Sequence, residues 1–168
     1  PAWVSSSRVT TLPLGRLGRH EIERLVLATS GGRELPGPLL DEIVSRTDGV
    51  PLFVEELCKA LIARGVVVER ESRLELTGPL NSAEIPSTLR DSLIARLDRL
   101  GGAKAVAQLG SILGRDFGYR LLRAVSDLSD EELDTQLMVL TRAEILLQRG
   151  LPPKAHYTFK HALIQEAA

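Results

Sequence analysis

The chain has 168 residues, of which 43% are hydrophobic and 26% charged, and its formal net charge is -1. This composition is typical of one folded domain or two small ones, and it excludes a largely disordered chain. Residues 101–168 contain equal numbers of acidic and basic side chains. A general binder of nucleic-acid phosphates needs a clear positive excess, which neither part of the chain has.

A single cysteine, Cys58, excludes an internal disulfide and a cysteine-rich metal site, and it favours a reducing, cytoplasmic location. No stretch approaches the roughly 20 apolar residues of a membrane helix, so we expect no membrane contact. The chain begins Pro1-Ala2-Trp3 and stops within a helical pattern, and we expect no signal peptide. These features indicate a piece of a longer protein.

Hydrophobic periodicity predicts a mainly α chain. β-Branched residues before Pro13 indicate a strand or extended arm at 9–12. Glycines then end each apolar stripe, and Pro51 suits the first turn of the third helix. The predicted elements that follow the arm are helices at 18–29, 38–47 and 51–64 and a hairpin with strands at 66–68 and 74–76.

After this hairpin, Pro86 leads a strong helix with a leucine stripe, and Gly101-Gly102 forms the predicted domain boundary. Three helices and a β-hairpin follow, which is the winged-helix arrangement. The predicted elements beyond the boundary are helices at 103–113, 118–126 and 129–143, strands at 145–147 and 156–159, and a helix from 161.

Capping boxes mark two of these helix starts. Thr88 lies three residues before Asp91, and Ser129 lies three residues before Glu132. At this spacing each side chain can accept a hydrogen bond from the other residue's backbone N–H.

The sequence lacks the motifs of common catalytic sites. A P-loop needs Gly-Lys-Ser/Thr, and the residues after the four lysines are Ala, Ala, Ala and His. No Gly-x-Ser-x-Gly elbow is present. His156 and His161 have no cysteine nearby, and His20 is remote, so no metal site is expected. We therefore assign no catalytic residue and expect that the chain alone is not an enzyme.

Two stretches carry a family resemblance: residues 48–57, Asp-Gly-Val-Pro-Leu-Phe-Val-Glu-Glu-Leu, and residues 157–166, Tyr-Thr-Phe-Lys-His-Ala-Leu-Ile-Gln-Glu. The chain resembles the regulatory region of STAND-type P-loop ATPases, which are signal-transduction NTPases related to the AAA and NB-ARC proteins. The resemblance is closest to a bacterial subgroup whose ATPase module follows an adenylate cyclase domain or accompanies a transcription-regulator domain. It covers nearly the whole chain.

This resemblance implies a mainly α fold with a helical lid domain and a winged-helix domain, each with a small β-hairpin. The implied ranges are 1–17 for the tail of a missing nucleotide-binding α/β domain, 18–100 for the lid, 101–160 for the winged helix, and 161–168 for the start of a truncated helix that leads to a TPR-like region.

Gly49 and Pro51 match the Gly-x-Pro motif of such lids, whose proline packs near the adenine. A proline at a helix start has no N–H to satisfy and offers a flat apolar face to a base. In the alternative interpretation Gly49 only ends one helix and Pro51 only begins the next.

His161 looks like the histidine of the Met-His-Asp motif that ends the winged helix in the NB-ARC relatives, where it contacts the diphosphate. The sequence departs from that motif at Ala162, where the relatives have Asp. An imidazole at a helix start can donate to a phosphate oxygen. The alternative is a solvent-facing or locally capping histidine.

Two other groups of residues have a structural interpretation. Glu55 and Glu56 follow the start of a helix, where its dipole favours acidic side chains. The aromatic residues are too scattered for a base-stacking surface and are expected in the core or at its rim. They are Phe117, Tyr119, Tyr157 and Phe159.

The implied function is a nucleotide-dependent signalling switch. The parent protein would bind ATP or ADP with magnesium between its P-loop domain and these two domains, and it would contact protein partners through the TPR-like region. No nucleotide is expected to bind this chain tightly by itself.

Two alternatives remain at this stage. The first is a winged-helix DNA-binding regulator, but the helix that would enter the major groove begins with carboxylates at Asp130, Glu131 and Glu132, so no DNA partner is expected. The second is a helical protein-interaction module without a nucleotide role.

Overall fold

The computed structural model describes residues 10, 12–70, 73–79 and 85–168. The chain divides into two compact units, Pro1–Ile85 and Pro86–Ala168. Its described residues are mainly helical with two small antiparallel sheets, which confirms the predicted fold class. Half of the extended arm predicted at 9–12 lies outside the described residues, and Thr10 and Leu12 belong to no regular element.

The first unit consists of a helical layer and a hairpin. The elements are α1 (Arg19–Thr29), α2 (Gly37–Thr47), α3 (Pro51–Ala63), β1 (Val67–Arg70) and β2 (Arg73–Leu76). Strands β1 and β2 pair antiparallel, with Val67 opposite Leu76. All three predicted helices and the hairpin are confirmed within a few residues.

Helix α3 is the centre of the first unit. It packs against α1, α2 and β1 and is buried over more than one face. A helix that is apolar around most of its circumference is stable only when other elements cover it. Its fully buried side chains include Val54, Leu57 and Cys58, and Ile22 of α1 and Ile43 of α2 are buried in the same unit.

The second unit has a winged-helix topology. The elements are α4 (Leu89–Asp98), α5 (Gly102–Leu113), β3 (Asp116–Gly118), α6 (Tyr119–Val125), α7 (Asp130–Arg142), β4 (Leu146–Arg149), β5 (His156–Phe159) and α8 (Ala162–Ala167). The three-stranded sheet has the order β3-β5-β4, and all pairs are antiparallel. Helix α5 precedes β3, and α6 and α7 lie between β3 and the β4–β5 hairpin.

Strand β3 was not expected from the sequence. It has three residues, too few for an alternating pattern, and it forms because Phe117 is pulled into the core. A Cβ at Gly110 of α5 would lie 2.7 Å from the Phe117 ring, so only glycine allows this approach. The ring centroid of Phe117 lies 6.1 Å from that of Tyr157 and 6.0 Å from that of Phe159.

The core position predicted for the four aromatic residues of this unit is confirmed, because all of them are buried. Burial raises the pKa of the Tyr157 hydroxyl to about 12, so this hydroxyl stays protonated at physiological pH.

Helix α4 belongs to the second unit, whereas the sequence interpretation placed it in the range 18–100. Leu93 and Leu97 are part of the second core, and α4 packs against α8. The structural division therefore falls after Ile85. Gly101, with φ of +56°, instead forms the tight turn between α4 and α5, two helices of one core.

Both predicted helix caps are present, and the cap at Ser129 is a capping box. The Ser129 Oγ accepts from the Glu132 N–H, and Glu132 Oε2 accepts from the Ser129 N–H at 2.9 Å, which completes the box. Thr88 Oγ1 accepts from the Asp91 N–H at 3.1 Å. Because Thr88 is the N-cap, α4 begins at Leu89, later than the helix start expected near Pro86.

Replacing Ser129 by alanine should lower the free energy of unfolding of the second unit by about 1 kcal/mol, because the Glu132 N–H loses its side-chain acceptor and the Glu132 carboxylate loses the hydroxyl that orients it. Chemical denaturation followed by circular dichroism measures this change. Glu131→Ala, in the same turn but outside the box, is the control and should stay within about 0.5 kcal/mol of the wild type. Equal stabilities of the two variants would contradict the role of the box.

The buried thiol of Cys58 should make stability depend on pH in the alkaline range. Burial raises its pKa to about 11, and Lys59 lowers it by a smaller amount. Unfolding returns the pKa to about 8.5. The stabilisation is present below that value and is lost as pH rises towards 11, because the unfolded chain releases the thiol proton first.

Denaturation at about pH 8 and about pH 10 measures this loss. Cys58→Ala is the control, because it removes the thiol and should show a smaller fall in stability between the two values. An equal fall in both proteins would contradict the assignment.

Candidate functional site

The turn between α2 and α3 contains two consecutive left-handed residues. Asp48 has φ of +47° and Gly49 has φ of +69°. The Val50 N–H closes the turn by donating to the Thr47 carbonyl at 2.9 Å. Left-handed backbone is favourable for glycine and tolerated by aspartate, which explains the residues at these two positions. The chain thus reverses direction within three residues and starts α3 at Pro51.

A segment without regular secondary structure, residues 16–17, lies directly against this turn. The Leu17 N–H donates to the Gly49 carbonyl at 2.8 Å, and Arg16 Nη1 donates to the Asp48 carbonyl at 2.9 Å. Arg16 also forms an ion pair with the Asp48 carboxylate at 2.8 Å. Both side chains are largely exposed, so the ion pair adds little stability and mainly orients the segment.

Gly49 is required by this contact as well as by its backbone angle. A Cβ at Gly49 would lie 2.3 Å from the Leu17 carbonyl oxygen and 2.8 Å from the Leu17 nitrogen. Backbone atoms cannot move aside as the end of a flexible side chain can. The match of Gly49 to the family motif is therefore accompanied by a strict local packing requirement.

Pro51 is the first residue of α3, and its ring is exposed. The Val50 carbonyl accepts from the N–H groups of Phe53 and Val54 at 3.0 and 3.1 Å, so the helix begins without needing an N–H at Pro51. The expectation that Gly49 and Pro51 separate two helices is confirmed. An exposed apolar ring also remains available for a ligand.

The helix-dipole explanation for Glu55 and Glu56 was wrong. Helix α3 has no acidic residue in its first turn, where the dipole acts. Glu56 is only 3% exposed, and it has a polar or electrostatic partner. Glu56 is thus a buried carboxylate with a partner, as burial of such a group requires, and the helix dipole does not account for it.

His161 is the N-cap residue of α8 and directly follows the turn after β5. Its backbone is extended, with φ of −135°, and its carbonyl accepts from the Ile164 N–H at 3.0 Å. The imidazole is half-buried and makes no side-chain cap. A capping histidine, one of the alternatives, is therefore not what the structure contains.

The neighbouring Lys160 holds this turn in place. Its N–H donates to the Ile145 carbonyl and its Nζ binds Glu144 Oε2, both at 3.0 Å. His161 thus has a fixed backbone and an imidazole that serves no cap. Pro51 and His161 belong to different units, and the common space expected for them stays a prediction.

Sequence reasoning missed Arg16 and Leu17 as partners of the motif turn. Nothing in their local sequence indicates the contact, because the partner lies 32 positions away from Arg16. Among the described residues, no group of three or more His, Cys, Asp or Glu side chains could hold a metal ion. None of the helices built from these residues has the length and apolar character needed to cross a membrane.

Gly49→Ala should destabilise the first unit by at least about 1 kcal/mol more than Gly65→Ala. Both glycines have nearly the same left-handed φ, +69° and +67°, so both variants suffer backbone strain of about 1 kcal/mol or more. A Cβ at Gly49 would also clash with the backbone of Leu17, whereas nothing lies within 4 Å of a Cβ at Gly65. Urea denaturation of the two variants measures the difference, and equal losses would contradict the contact with residues 16–17.

No family model matches the chain, and no solved structure matches it. It is similar to an uncharacterized protein of Rhizobium meliloti (strain 1021), with 28% identity over 169 aligned positions. That alignment covers 98% of this chain, which spans only 16% of the relative's length.

Proposed function

We propose that these residues form the regulatory part of a nucleotide-dependent signalling switch: the helical lid and the winged helix of a STAND-type ATPase. ATP or ADP would bind between these domains and a P-loop domain in the same parent protein. The main support for this proposal is the geometry of the turn at 48–51. Gly49 is fixed by the segment 16–17, and the motif proline is left exposed at a helix start.

Pro51 would contact the base of the nucleotide. Its ring offers an apolar surface, and its lack of an N–H leaves no polar group unsatisfied when the base covers it. The turn beneath it is held by two backbone hydrogen bonds, to Leu17 and to Thr47. A rigid support of this kind reduces the ordering cost of binding.

His161 would sense the phosphates. Its imidazole makes no local cap, and either of its protonation states provides an N–H donor for a phosphate oxygen. Ala162 cannot supply the carboxylate found after the histidine in the NB-ARC relatives, so His161 would act without that partner.

The switch itself would be a movement of compact bodies. Nucleotide exchange can shift the arrangement of domains only if the contacts with ATP and ADP differ between the arrangements. Magnesium and the hydrolytic chemistry would come from the P-loop domain of the parent. The much greater length of the rhizobial relative is compatible with such a multidomain parent. We place this system in the cytoplasm, as the single cysteine favours.

The DNA-binding alternative is disfavoured by the start of α7. Asp130, Glu131 and Glu132 occupy its first turn, and Arg142 is the basic residue of its last turn. Negative charge at the end that would enter the groove repels the phosphate backbone. No described feature favours the plain interaction module over the switch.

The test compares His161→Ala with His20→Ala, a control at an exposed histidine of α1. In this chain, the free energy of unfolding of His161→Ala should lie within about 0.5 kcal/mol of the wild type, since the imidazole makes no cap. In the gene product that contains this chain, His161→Ala should retain less ADP after purification and release it faster, and His20→Ala should match the wild type. Chromatography of the extracted nucleotide and stopped-flow release measure both.

Equal ADP content and equal release rates in the wild type and His161→Ala would remove the sensing role. A second measurement addresses the chain alone. Calorimetry should detect no ATP binding of micromolar or tighter affinity, because the P-loop that supplies most phosphate contacts is missing. Micromolar binding by the isolated chain would contradict the proposal that the P-loop domain supplies most of the contacts with the nucleotide.

A further inference from the structure

An open cleft lies at the hairpin end of the second unit, and neither Pro51 nor His161 lines it. It has a volume of about 450 Å³ and lies between the start of α6 and the end of the β4–β5 loop. We call it the wing pocket and define it by six of its lining residues: Tyr119, Arg120, Leu121, Pro153, Lys154 and His156.

The sheet register places the imidazole of His156 at this pocket. His156 pairs with Gly118 of β3 on one side and with Arg149 of β4 on the other. Residues paired across antiparallel strands share a face, so Arg149 and His156 lie on the same exposed face of the sheet. The His156 Cε1 lies 3.7 Å from the position of a Cβ at Gly118, so the imidazole covers this glycine.

Three cationic side chains in this region have no charge partner. Within the part of the chain that the structure describes, Arg120, Arg149 and Lys154 make neither an ion pair nor a side-chain hydrogen bond. Arg123 and Lys160 of the same unit are paired, with Asp130 and Glu144, whereas Arg115 and Arg142 among the described residues lack a partner as well. Arg120 and Lys154 differ from these two because both line the same pocket.

The carboxylate of Asp116 lies at the edge of this region. Its Oδ2 accepts from the Thr158 hydroxyl at 2.6 Å, and its Oδ1 lies 4.0 Å from the His156 Nδ1. This distance is too long for a hydrogen bond. Burial raises the pKa of the Tyr119 hydroxyl, and the nearby Asp134 and Asp130 raise it further, so these two carboxylates also lie close to the pocket. Asp130 is paired with Arg123. Asp116 and Asp134 therefore face the three cations Arg120, Arg149 and Lys154, and a positive excess remains.

Size and lining indicate a ligand with both an anionic and an apolar part. The cleft is open to solvent and has room for more than a simple ion, so a bound ligand would stay partly exposed. Tyr119, Leu121 and Pro153 provide apolar surface. A guanidinium binds two phosphate oxygens at once, and an ammonium adds a mobile point charge, so arginine with lysine suits a dianion better than a monoanion.

We propose that the wing pocket binds a small organic phosphate monoester, with Arg120 and Lys154 on the phosphate, His156 as a further donor, and the apolar wall on the organic part. The proposal is independent of the nucleotide switch, because it concerns other residues and can be tested on this chain alone.

Titration with phenyl phosphate, followed by NMR, tests the proposal directly, with inorganic phosphate and benzoate as comparison ligands. We expect saturable binding of phenyl phosphate with a Kd on the order of a millimolar. Inorganic phosphate should bind severalfold more weakly than phenyl phosphate because it lacks the apolar part. Benzoate should also bind severalfold more weakly, because its single negative charge is half that of the phosphate dianion. Equal binding of benzoate and phenyl phosphate would contradict the proposal, as would the absence of saturation.

The double variant Arg120→Ala/Lys154→Ala should weaken phenyl phosphate binding about tenfold or more, because it removes the two unpaired cations of the pocket. The control Arg115→Ala/Arg142→Ala changes the net charge equally at exposed arginines outside the pocket and should bind within about twofold of the wild type. All four positions are exposed, and unchanged melting curves would show that the variants are folded. If both double variants weakened phenyl phosphate binding equally, the cause would be a general charge effect, and the proposed site would be wrong.

A competition experiment with a short DNA duplex tests whether the wing pocket is instead a nucleic-acid contact. Phosphodiesters on a rigid duplex carry single charges and no small apolar group, so the duplex should not displace phenyl phosphate. Displacement that depends on Arg120 and Lys154 would identify a nucleic-acid contact instead and would contradict the proposal.

Discussion

The reversal of the chain at Asp48 and Gly49 is the constraint on which the first unit depends. Helix α3 is buried on several faces, so it must enter the unit at one defined point and angle. Two left-handed residues provide that entry, and the hydrogen bond from the Leu17 N–H to the Gly49 carbonyl fixes it. The same geometry leaves the Pro51 ring at the surface. Packing and the candidate site therefore have a common origin, and a change that relaxes the turn affects both.

In the second unit, the close approach of Phe117 to Gly110 has a comparable role. It draws β3 onto β5 and creates a three-stranded sheet where the sequence indicated only a hairpin. Because β5 is the central strand, its two ends are well positioned: His156 faces the wing pocket at one end, and the turn to His161 follows the other. One aromatic contact thus supports the placement of both histidines, although they serve different proposals.

Local signals were sufficient to predict most helices, the two hairpins and the capping box at Ser129, because periodicity and capping act within a few residues. Contacts distant in sequence were not predictable in this way. The membership of α4 in the second core depends on α8, and the contact of Leu17 with Gly49 joins segments with unrelated patterns. The wing pocket combines residues from α6 and from a loop about thirty positions later, and no motif marks either. Gly49, Pro51 and His161 were selected by resemblance, and the structure describes their local roles.

The packing of Phe117 on Gly110 also has a consequence for the divergence of this domain. With the ring 2.7 Å from the site of a Cβ, the two positions share one fixed volume, so neither can change size independently. A methyl group at position 110 requires a smaller side chain at position 117, and the smaller side chain alone leaves a void beside α5. Because each single substitution is unfavourable, the two residues change most readily together. Positions 110 and 117 should therefore vary together among related sequences.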